Sequence, residues 1–244
     1  METLPGGFEV ASRPALGTTA QVVLHGKHVG PAALRAMDGL LDDLDLEASR
    51  FRQDSELSRV NASSSPELEV SPGFAALLEP ALEWARRTHG LLDPTVGRAV
   101  VNAGYTGDFV GLERDQSGPA PGKSPAPGWW QVELSGTHLR RPPGVVLDLG
   151  STSKAQVADR AAAELLALSG AAVLVSLGGD LATAGAIPPG GWVVRVGDDH
   201  QGRMGAEGQT VVLTARALAT SSRAVRQWRR GGEPMHHLID PRRG

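Results

Sequence analysis

The sequence predicts an α+β protein with mixed or antiparallel sheets and about three main helices. Three stretches, which begin near Gly30, Ser71 and Gly150, carry apolar residues at the spacing of one helix face. Short alternating or apolar runs, which are typical of strands, lie between and after these stretches. The pair Gly178-Gly179 does not belong to a G-x-G-x-x-G pattern and precedes another predicted strand, so a dinucleotide-binding βαβ unit is not expected. These observations favour packed sheets with helices on their faces.

The composition is that of an ordinary globular protein. The 244 residues, of which 41% are hydrophobic and 21% charged, allow one large domain or two joined lobes. The net charge of -3 gives no indication of nucleic-acid binding. The absence of cysteine excludes disulfides, thiolate metal ligands and a cysteine nucleophile. No apolar run has the length of a membrane span and no export signal is visible, so we expect a cytoplasmic location.

The strongest single candidate for a binding element is the stretch 145–159. Residues 145–149 are apolar except for Asp148 and are predicted to form a short buried strand. Gly150 allows a sharp turn, and a helix is predicted to follow and to reach about Ser169. A strand-to-helix corner exposes N–H groups at the positive end of a helix dipole, so together with Lys154 it suits a phosphate or pyrophosphate. An ordinary connection with a solvated lysine explains the same residues, and both interpretations remain open.

The other elements are predicted from periodicity and turn residues. Helices are expected from Pro31 to about 48 and from Ser71-Pro72 to His89-Gly90. The acidic residues of the first of these helices are interpreted as a solvated face, not a metal site. Residues 49–61 are predicted to form a loop, and residues 104–128 a Gly/Pro-rich surface excursion. Strands are expected at 8–16, 18–24, 130–134, 137–140, 171–176, 181–185, 192–197 and 209–213, the last two joined by a Gly-rich hairpin.

A few side chains have both a structural and a functional interpretation. Phe51 is either a peg into the core or a stacking platform for a ring. Asp93 and Thr95 can bond the backbone of their own turn or a ligand, and local chemistry favours the turn. His236 and His237 are predicted to point to opposite faces of an extended segment, so at most one faces a given site. That histidine is either a buried structural residue or a general base.

Seven short elements, taken in order, resemble the ApbE family of FAD:protein FMN transferases over nearly the whole chain. Leu92-Asp93-Pro94-Thr95-Val96-Gly97, for example, is similar to the family's Phe-Asp-Pro-Thr-Val-Gly. His237-Leu238-Ile239-Asp240-Pro241 is similar to His-Ile-x-Asp-Pro. The other five elements lie at 15–18, 49–61, 147–159, 177–185 and 219–221.

The resemblance implies a single ApbE-like domain over 1–244, with a compact two-lobed, T-fold-like architecture. It implies cleavage of FAD with release of AMP, and transfer of FMN to a threonine or serine of a target protein. Mg²⁺ would bridge the pyrophosphate, with the carbonyl of Ser151 as a metal ligand. His237 would take the proton from the acceptor hydroxyl. The FAD site would be lined by Leu16, Phe51, Leu91, Leu92, Asp93, Asp148, Lys154 and Ile239.

The sequence departs from the family pattern at several positions. Leu16 replaces methionine, Phe51 replaces tyrosine, and Ser151 replaces glycine. The family's C-terminal Asp-x-x-x-Thr element, which completes its magnesium site, has no counterpart after Asp240. Two alternatives to an FMN transferase follow from these departures. One is a flavin-binding relative without catalysis, and the other is a hydrolase that converts FAD to FMN and AMP.

Overall fold

Helices and strands are largely segregated into runs along the chain, as is typical of an α+β fold. The computed structural model describes residues 2–120, 122, 124–197, 208–214, 216–223 and 225–244. Five α-helices lie within this part of the chain: Pro31–Ala48 (α1), Glu56–Ala62 (α2), Pro72–Arg87 (α3), Gly97–Asn102 (α4) and Ser153–Ser169 (α5). The three long helices are those that the apolar stripes predicted. No described helix is long and apolar enough to span a bilayer.

The strands of the described residues form one large sheet and three small ones. The large sheet contains Glu2–Leu4 (β1), Phe8–Ala15 (β2), Thr18–His25 (β3), Ala172–Leu177 (β8), Asp180–Ala184 (β9) and Ala217–Leu218 (β12). The small sheets contain Glu67–Glu69 (β4), Glu133–Ser135 (β6) and His138–Arg140 (β7); Trp192–Val196 (β10) and Gln209–Leu213 (β11); and Asp115–Gln116 (β5), Gln227–Arg230 (β13) and Glu233–His236 (β14). The Gly-rich hairpin predicted between β10 and β11 lies outside the described residues.

The chain divides into two compact units, each built from two separate segments. The first unit contains residues 1–42 and 154–225, and the second contains residues 43–153 and 226–244. The large sheet and nearly all of α5 belong to the first unit. Helices α2, α3 and α4 and the sheets β4-β7-β6 and β14-β13-β5 belong to the second.

In the first unit, the large sheet has the order β1-β2-β3-β8-β9-β12, and every neighbouring pair is antiparallel. Its centre is apolar because alternate residues of β3 and β8 face the core, and Leu24 and Val175 have no exposed surface. The turn between β2 and β3 has positive φ at both Leu16 (53°) and Gly17 (65°), as a tight two-residue hairpin turn requires. Gly170, with φ of 62°, ends α5 at the predicted position.

The second unit corrects one prediction about local structure. Residues 49–61, predicted to be a loop, contain α2, whose N-cap is Ser55: its hydroxyl accepts a hydrogen bond from the Ser58 N–H at 3.0 Å. Leu57 and Val60, three residues apart, are both buried by this helix. The helix was not predicted because the segment is mostly polar and the helix buries only two apolar side chains, Leu57 and Val60.

A second correction concerns residues 145–149, which are extended and buried but do not form a strand. Val145, Leu147 and Leu149 point inward, as predicted, yet the backbone pairs with no neighbouring strand. The Asn61 side chain accepts from the Leu147 N–H at 2.8 Å and donates to the Leu147 carbonyl at 2.9 Å. The turn at 94–97 pairs with the neighbouring residues, since the Asp148 N–H donates to the Pro94 carbonyl at 2.8 Å and the Val146 carbonyl accepts from the Gly97 N–H at 3.1 Å. Buried backbone groups need a partner, but that partner can be a side chain.

The predicted solvated face of α1 is consistent with the structure. Asp42 and Asp43 are exposed, while Asp38 pairs with Arg13 at 2.9 Å and Asp45 with Arg52 at 3.0 Å. Two of these carboxylates are therefore exposed and two pair with arginines.

Candidate functional site

A cluster of aromatic rings surrounds Tyr105 in the second unit. Tyr105 is only 6% exposed, although it lies in the stretch 104–128 that was predicted to be a surface excursion. The Trp228 ring stacks on it at 5.3 Å, and the Phe51 ring meets it edge-on at 5.4 Å between centroids. The His237 ring lies at 6.5 Å, also edge-on. The predicted site residues Phe51 and His237 therefore meet on one aromatic centre that the sequence did not indicate.

Arg50 joins this aromatic cluster to the corner at 148–153. Its guanidinium carbon lies 4.6 Å from the centroid of the Phe51 ring and 4.9 Å from that of Tyr105, within the range of a cation–π contact. Its Nη1 donates to the Tyr105 carbonyl at 2.5 Å, and its Nε lies 2.7 Å from Oδ2 of Asp148. Arg50 is thus held by two rings, a carbonyl and a carboxylate at once.

Asp148 is fixed from both of its oxygens. Oδ2 pairs with Arg50, and Oδ1 accepts the Gly150 N–H at 2.8 Å, which closes the turn toward α5. The side chains of Asp148 and Arg50 are only 14% and 13% exposed, so their attraction is screened less than that of a surface pair. At the corner that the sequence indicated, the Asp148 carboxylate is therefore held in place by Arg50 and by the Gly150 N–H.

The tyrosine hydroxyl at the centre of this cluster stays protonated at neutral pH. Burial raises the pKa of Tyr105 above its ordinary value, and the nearby guanidinium groups of Arg226 and Arg50 only partly offset this. The Arg226 Nη1 lies 3.4 Å from the Tyr105 Oη as a hydrogen-bond donor. The ring is consequently a neutral, rigid surface and not a source of negative charge.

The helix start beyond this corner follows the predicted pattern. The Leu149 carbonyl accepts from the N–H groups of Thr152 at 3.1 Å and Ser153 at 2.9 Å, which begins α5 directly after the turn. Ser151 is exposed, whereas Thr152 and Ser153 are buried. Ser151, the predicted source of a metal-binding carbonyl, therefore stands at the surface of the turn.

Asp93 has the structural role that local chemistry favoured. Its Oδ1 accepts from the Thr95 N–H at 2.8 Å and from the Thr95 hydroxyl at 2.7 Å, and its Oδ2 accepts from the Trp129 N–H at 3.1 Å. The residue is 5% exposed. Leu91, two residues earlier, is 61% exposed, and Leu92 is partly exposed. Asp93 thus holds the turn that presents these two leucines.

A second group of motif residues gathers at one end of the large sheet in the first unit. The β2–β3 turn contains Leu16, the β8–β9 turn contains Gly178 and Gly179, and Thr220 follows the end of β12. Antiparallel pairing brings all three connections to the same end, since Ala20 pairs with Leu177 and Leu218 with Leu181. Three of the seven motif elements, distant in sequence, therefore become neighbours through the strand order.

The glycines of this end are required by close contacts. A Cβ atom at Gly178 would lie 2.8 Å from the Thr18 side chain, and one at Gly179 would lie 3.3 Å from Thr220. Both glycines also have positive φ, 65° and 98°. The Thr18 Oγ1 is buried and has no hydrogen-bond partner among the described residues. Buried hydroxyls are seldom left without a partner, so this atom is a candidate contact for a bound water or for a polar group of a ligand.

Asp180 provides the acidic group of the same end. Burial raises its pKa above the ordinary aspartate value, while the nearby Lys154 ammonium and a hydrogen bond from the Thr220 backbone lower it in part. Lys154, the predicted pyrophosphate-binding lysine, is thus electrostatically coupled to Asp180. A buried acid with a raised pKa next to a cation is typical of functional sites, and structural ion-pair networks contain such acids as well.

The described residues do not build a magnesium site by themselves. No group of three or more His, Asp or Glu side chains within this part of the chain could hold a metal ion. The carbonyl of Ser151 is a single oxygen ligand, whereas Mg²⁺ takes six. A magnesium ion would therefore need further oxygens from water or from a bound phosphate.

The sequence indicated several site residues but not the residues that connect them in the structure. Phe51, Asp148 and His237 were predicted, yet Arg50, Tyr105 and Trp228 connect them. A signal did exist for Arg50, because Asp148 is an acid in an otherwise apolar buried stretch and such an acid needs a cation. Nothing local distinguished Tyr105, except that it is the single tyrosine of the chain.

The fold defines a class of α+β protein whose solved examples include ApbE proteins. The structure resembles that of the flavin transferase ApbE from Vibrio cholerae with a TM-score of 0.71, over 97% of this chain and 77% of that one, at 24% identity. It resembles the ApbE protein of Thermotoga maritima with a TM-score of 0.76, over 96% and 76% of the two chains, at 25% identity.

The sequence comparison gives the family. The ApbE family model matches residues 16–244, and the chain therefore belongs to the ApbE family. It is 31% identical to a FAD:protein FMN transferase of Rhodobacter capsulatus, over 98% of this chain and 48% of that protein. It is 25% identical to the FAD:protein FMN transferase of Haemophilus influenzae, over 93% of this chain and 70% of that protein. The chain thus spans about half the length of the first of these relatives.

Proposed function

We propose that this protein is a FAD:protein FMN transferase, which cleaves FAD and attaches FMN to a threonine or serine of a target protein. The observation that carries the proposal is the convergence of Leu16, Gly178, Asp180 and Thr220 at one end of the large sheet. These residues come from motif elements that lie far apart in sequence, and Lys154 is electrostatically coupled to Asp180. The names of the curated relatives support the same function.

The reaction we propose is a substitution at phosphorus. The hydroxyl oxygen of the acceptor attacks the FMN-side phosphorus of FAD, a new P–O bond forms, and the bond to the AMP phosphate breaks. AMP leaves with the electron pair of that bond, and the proton of the hydroxyl passes to His237. Its edge-on contact with Tyr105, at 6.5 Å, would limit how the His237 ring turns.

The remaining site residues would bind and orient FAD. Phe51, which is 39% exposed, offers a ring face to the isoalloxazine or adenine, while Arg50 and Tyr105 support it from behind. Leu91 and Leu92 offer apolar contacts, and Lys154 offers a positive charge to the diphosphate. Ile239, Asp93 and Asp148 complete the proposed set, the last two by holding the turns on which neighbouring groups stand.

Magnesium enters this proposal as the counter-ion of the diphosphate, with the Ser151 carbonyl as one protein ligand. The ion would neutralise charge on the phosphate oxygens when bound. We place no other protein ligand on it, because the described residues gather no acidic cluster.

The test is to incubate the protein with FAD, Mg²⁺ and an acceptor protein from a flavinylated relative, and to follow three products. Covalent flavin fluorescence on the acceptor reports transfer, AMP without label reports hydrolysis, and FAD quenching without either reports binding alone. We expect labelled acceptor. His237→Ala should reduce labelling by at least about 100-fold while FAD binding is retained, because a positioned base contributes about that much or more.

The matched control for His237→Ala is His138→Ala, which removes an exposed histidine of β7. It should leave labelling unchanged. AMP release by the wild type without any label would favour the FAD hydrolase instead, and quenching without products would favour the flavin-binding relative.

A further inference from the structure

Arg141 is a buried arginine that directly follows β7 and has no part in the proposed chemistry. The residue is 1% exposed, and no carboxylate pairs with it among the described residues. Its Nε atom is buried and makes no hydrogen bond within this part of the chain. Removing a cation from water costs several kcal/mol unless other groups compensate it, and an apolar side chain of similar volume avoids this cost. The surroundings of Arg141 must therefore compensate its charge.

The groups around Arg141 are backbone carbonyls from two separate segments. Nη2 donates to the Ser63 carbonyl at 2.9 Å and to the Val60 carbonyl, both at the C-terminal end of α2. Nη1 donates to the Val145 carbonyl at 2.9 Å, at the start of the stretch 145–149. Carbonyls at the end of a helix carry partial negative charge, which favours a cation there. The planar fork of donors in a guanidinium lets one side chain bind all three carbonyls, which the compact ammonium of a lysine does less well.

The N-terminal side of α2 holds the segment that contains Arg50 and Phe51. The carbonyl of the preceding residue, Ser49, accepts from the Ser55 hydroxyl at 2.5 Å and from the Ser58 hydroxyl at 3.4 Å. Ser55 is the N-cap of α2, and Ser58 belongs to its first turn. Arg50 and Phe51 are thus attached to the helix, so a change in the position of α2 displaces both.

The segment 50–63 and the stretch 145–149 are joined at three successive points within the second unit. In order, these are the carbonyls bound by Arg141, the hydrogen bonds between Asn61 and Leu147, and the ion pair of Arg50 with Asp148. The contacts follow opposite directions along the two segments, so α2 lies antiparallel to the stretch. The first two points fix how α2 lies along it and therefore determine whether the ion pair can form.

We infer that Arg141 is a positioning residue of the proposed flavin site. By joining the C-terminal end of α2 to Val145, it brings Arg50 to Asp148. The inference rests on the proposed function, in which the ring of Phe51, next to Arg50, stacks on FAD. Arg141 is too deeply buried to offer a surface to a ligand, so it acts through α2. Without it, the groups of the site are all present but displaced, and FAD binds more weakly.

The experiment compares Arg141→Met and Arg141→Lys with Arg140→Met, which removes the neighbouring arginine, whose side chain is 62% exposed. Amide hydrogen exchange without FAD reports on the stretch through the Leu147 and Gly150 N–H groups, which both donate to side chains. We expect these two amides to exchange at least about tenfold faster in both Arg141 variants, relative to the amides of α3, and at the wild-type rate in Arg140→Met. A role in overall stability alone would speed exchange equally throughout the second unit.

The affinity for FAD, measured by fluorescence quenching, is the second readout. Arg141→Lys should bind FAD at least about tenfold more weakly than the wild type, and Arg140→Met should bind it equally well. Because Arg141 acts through the ion pair of Arg50 and Asp148, Arg141→Lys should change the affinity less than about twofold in the Asp148→Asn background. The inference is wrong if the loss of affinity is the same in both backgrounds, or if folded Arg141 variants show wild-type exchange at Leu147.

A measurement on the wild type keeps the inference testable if the Arg141 variants do not fold. Exchange in low concentrations of urea gives the free energy of opening at each amide. The amides of Ser63, Leu147 and Gly150 should open together, with one dependence on urea, whereas a separate opening of Ser63 would overturn the inference. A wild type that binds no FAD would overturn the proposed function alone, because the exchange experiment contains no flavin.

Discussion

The Nε atom of Arg50 lies 2.7 Å from the Oδ2 atom of Asp148, and both side chains are nearly buried. The pair connects the segment before α2 to the turn before α5, and Arg50 balances the charge of Asp148. The same arginine lies over the rings of Phe51 and Tyr105. The pair therefore sets both the acidic corner and the aromatic surface.

Replacing Arg50 by methionine should destabilise the protein by about 2 kcal/mol or more, because it leaves a nearly buried carboxylate without its cation. Urea unfolding measures this change in the free energy of unfolding. The double variant Arg50→Met/Asp148→Asn should be more stable than Arg50→Met alone, since the uncompensated charge is gone. Equal stability of the single and double variants would show that the pair is not coupled.

Replacing Asn61 by alanine should destabilise the protein by about 2–4 kcal/mol, because the N–H and carbonyl of the fully buried Leu147 both lose their partner. Thermal or urea unfolding measures the loss. Gln21→Ala is the matched control, since it removes an amide whose hydrogen bond to Ser12 is exposed. A loss for Asn61→Ala no larger than that of the control would mean that water replaces the side chain at Leu147.

Replacing Asp180 by asparagine should raise thermal stability at neutral pH and lower FMN transfer. Burial raises the folded pKa of Asp180 above its unfolded value, so the folded state binds more protons. The carboxylate therefore costs stability once the pH has risen through the folded pKa, and costs nothing below the unfolded value, about 3.9. The melting temperatures of the two proteins should converge in acid. A wild type that stays the more stable at neutral pH would contradict the prediction.

Replacing Gly178 by alanine should cost more stability than replacing Gly190 by alanine. Both glycines have positive φ, 65° and 83°, which costs an alanine about 1 kcal/mol. Only at Gly178 does the added Cβ also meet a side chain, that of Thr18 at 2.8 Å, whereas nothing lies within 4 Å at Gly190. Unfolding in urea compares the two variants.

The contact with Thr18 can be tested by a double-mutant cycle. Thr18→Ala removes the atoms that the new Cβ would meet, so it should recover part of the loss in the Gly178→Ala background. Strict additivity of the two changes would show that the close contact is relieved by a backbone shift instead.

The sequence predicted the elements whose signals are local. Ser71 caps α3 through the Phe74 N–H at 3.0 Å, and Gly170 ends α5, because caps and stops act within a few residues. The strand predicted at 145–149 was wrong because the partners of this segment, the Asn61 side chain and the backbone of the turn at 94–97, are distant in sequence and form no strand. A local apolar pattern cannot distinguish a buried segment held by a side chain and a turn from one held by a sheet.

The same reasoning explains which parts of the site were predicted. Motif resemblance indicated Asp148, His237 and Phe51 individually. Arg50 and Tyr105, which connect them, depend on contacts between residues that are far apart in sequence. Such contacts are determined by the packing of the second unit and leave no periodic signal.

The discontinuous second unit has a consequence for synthesis on the ribosome. Trp228 donates from its Nε1 to the Ala103 carbonyl at 2.7 Å and stacks on Tyr105, so a residue translated more than a hundred codons after Ala103 completes the core that this part of the chain begins. Residues 43–153 lack the packing of Trp228 on Tyr105 until the intervening chain has been synthesised. A nascent polypeptide in this state exposes apolar surface, which makes it a natural client for a chaperone.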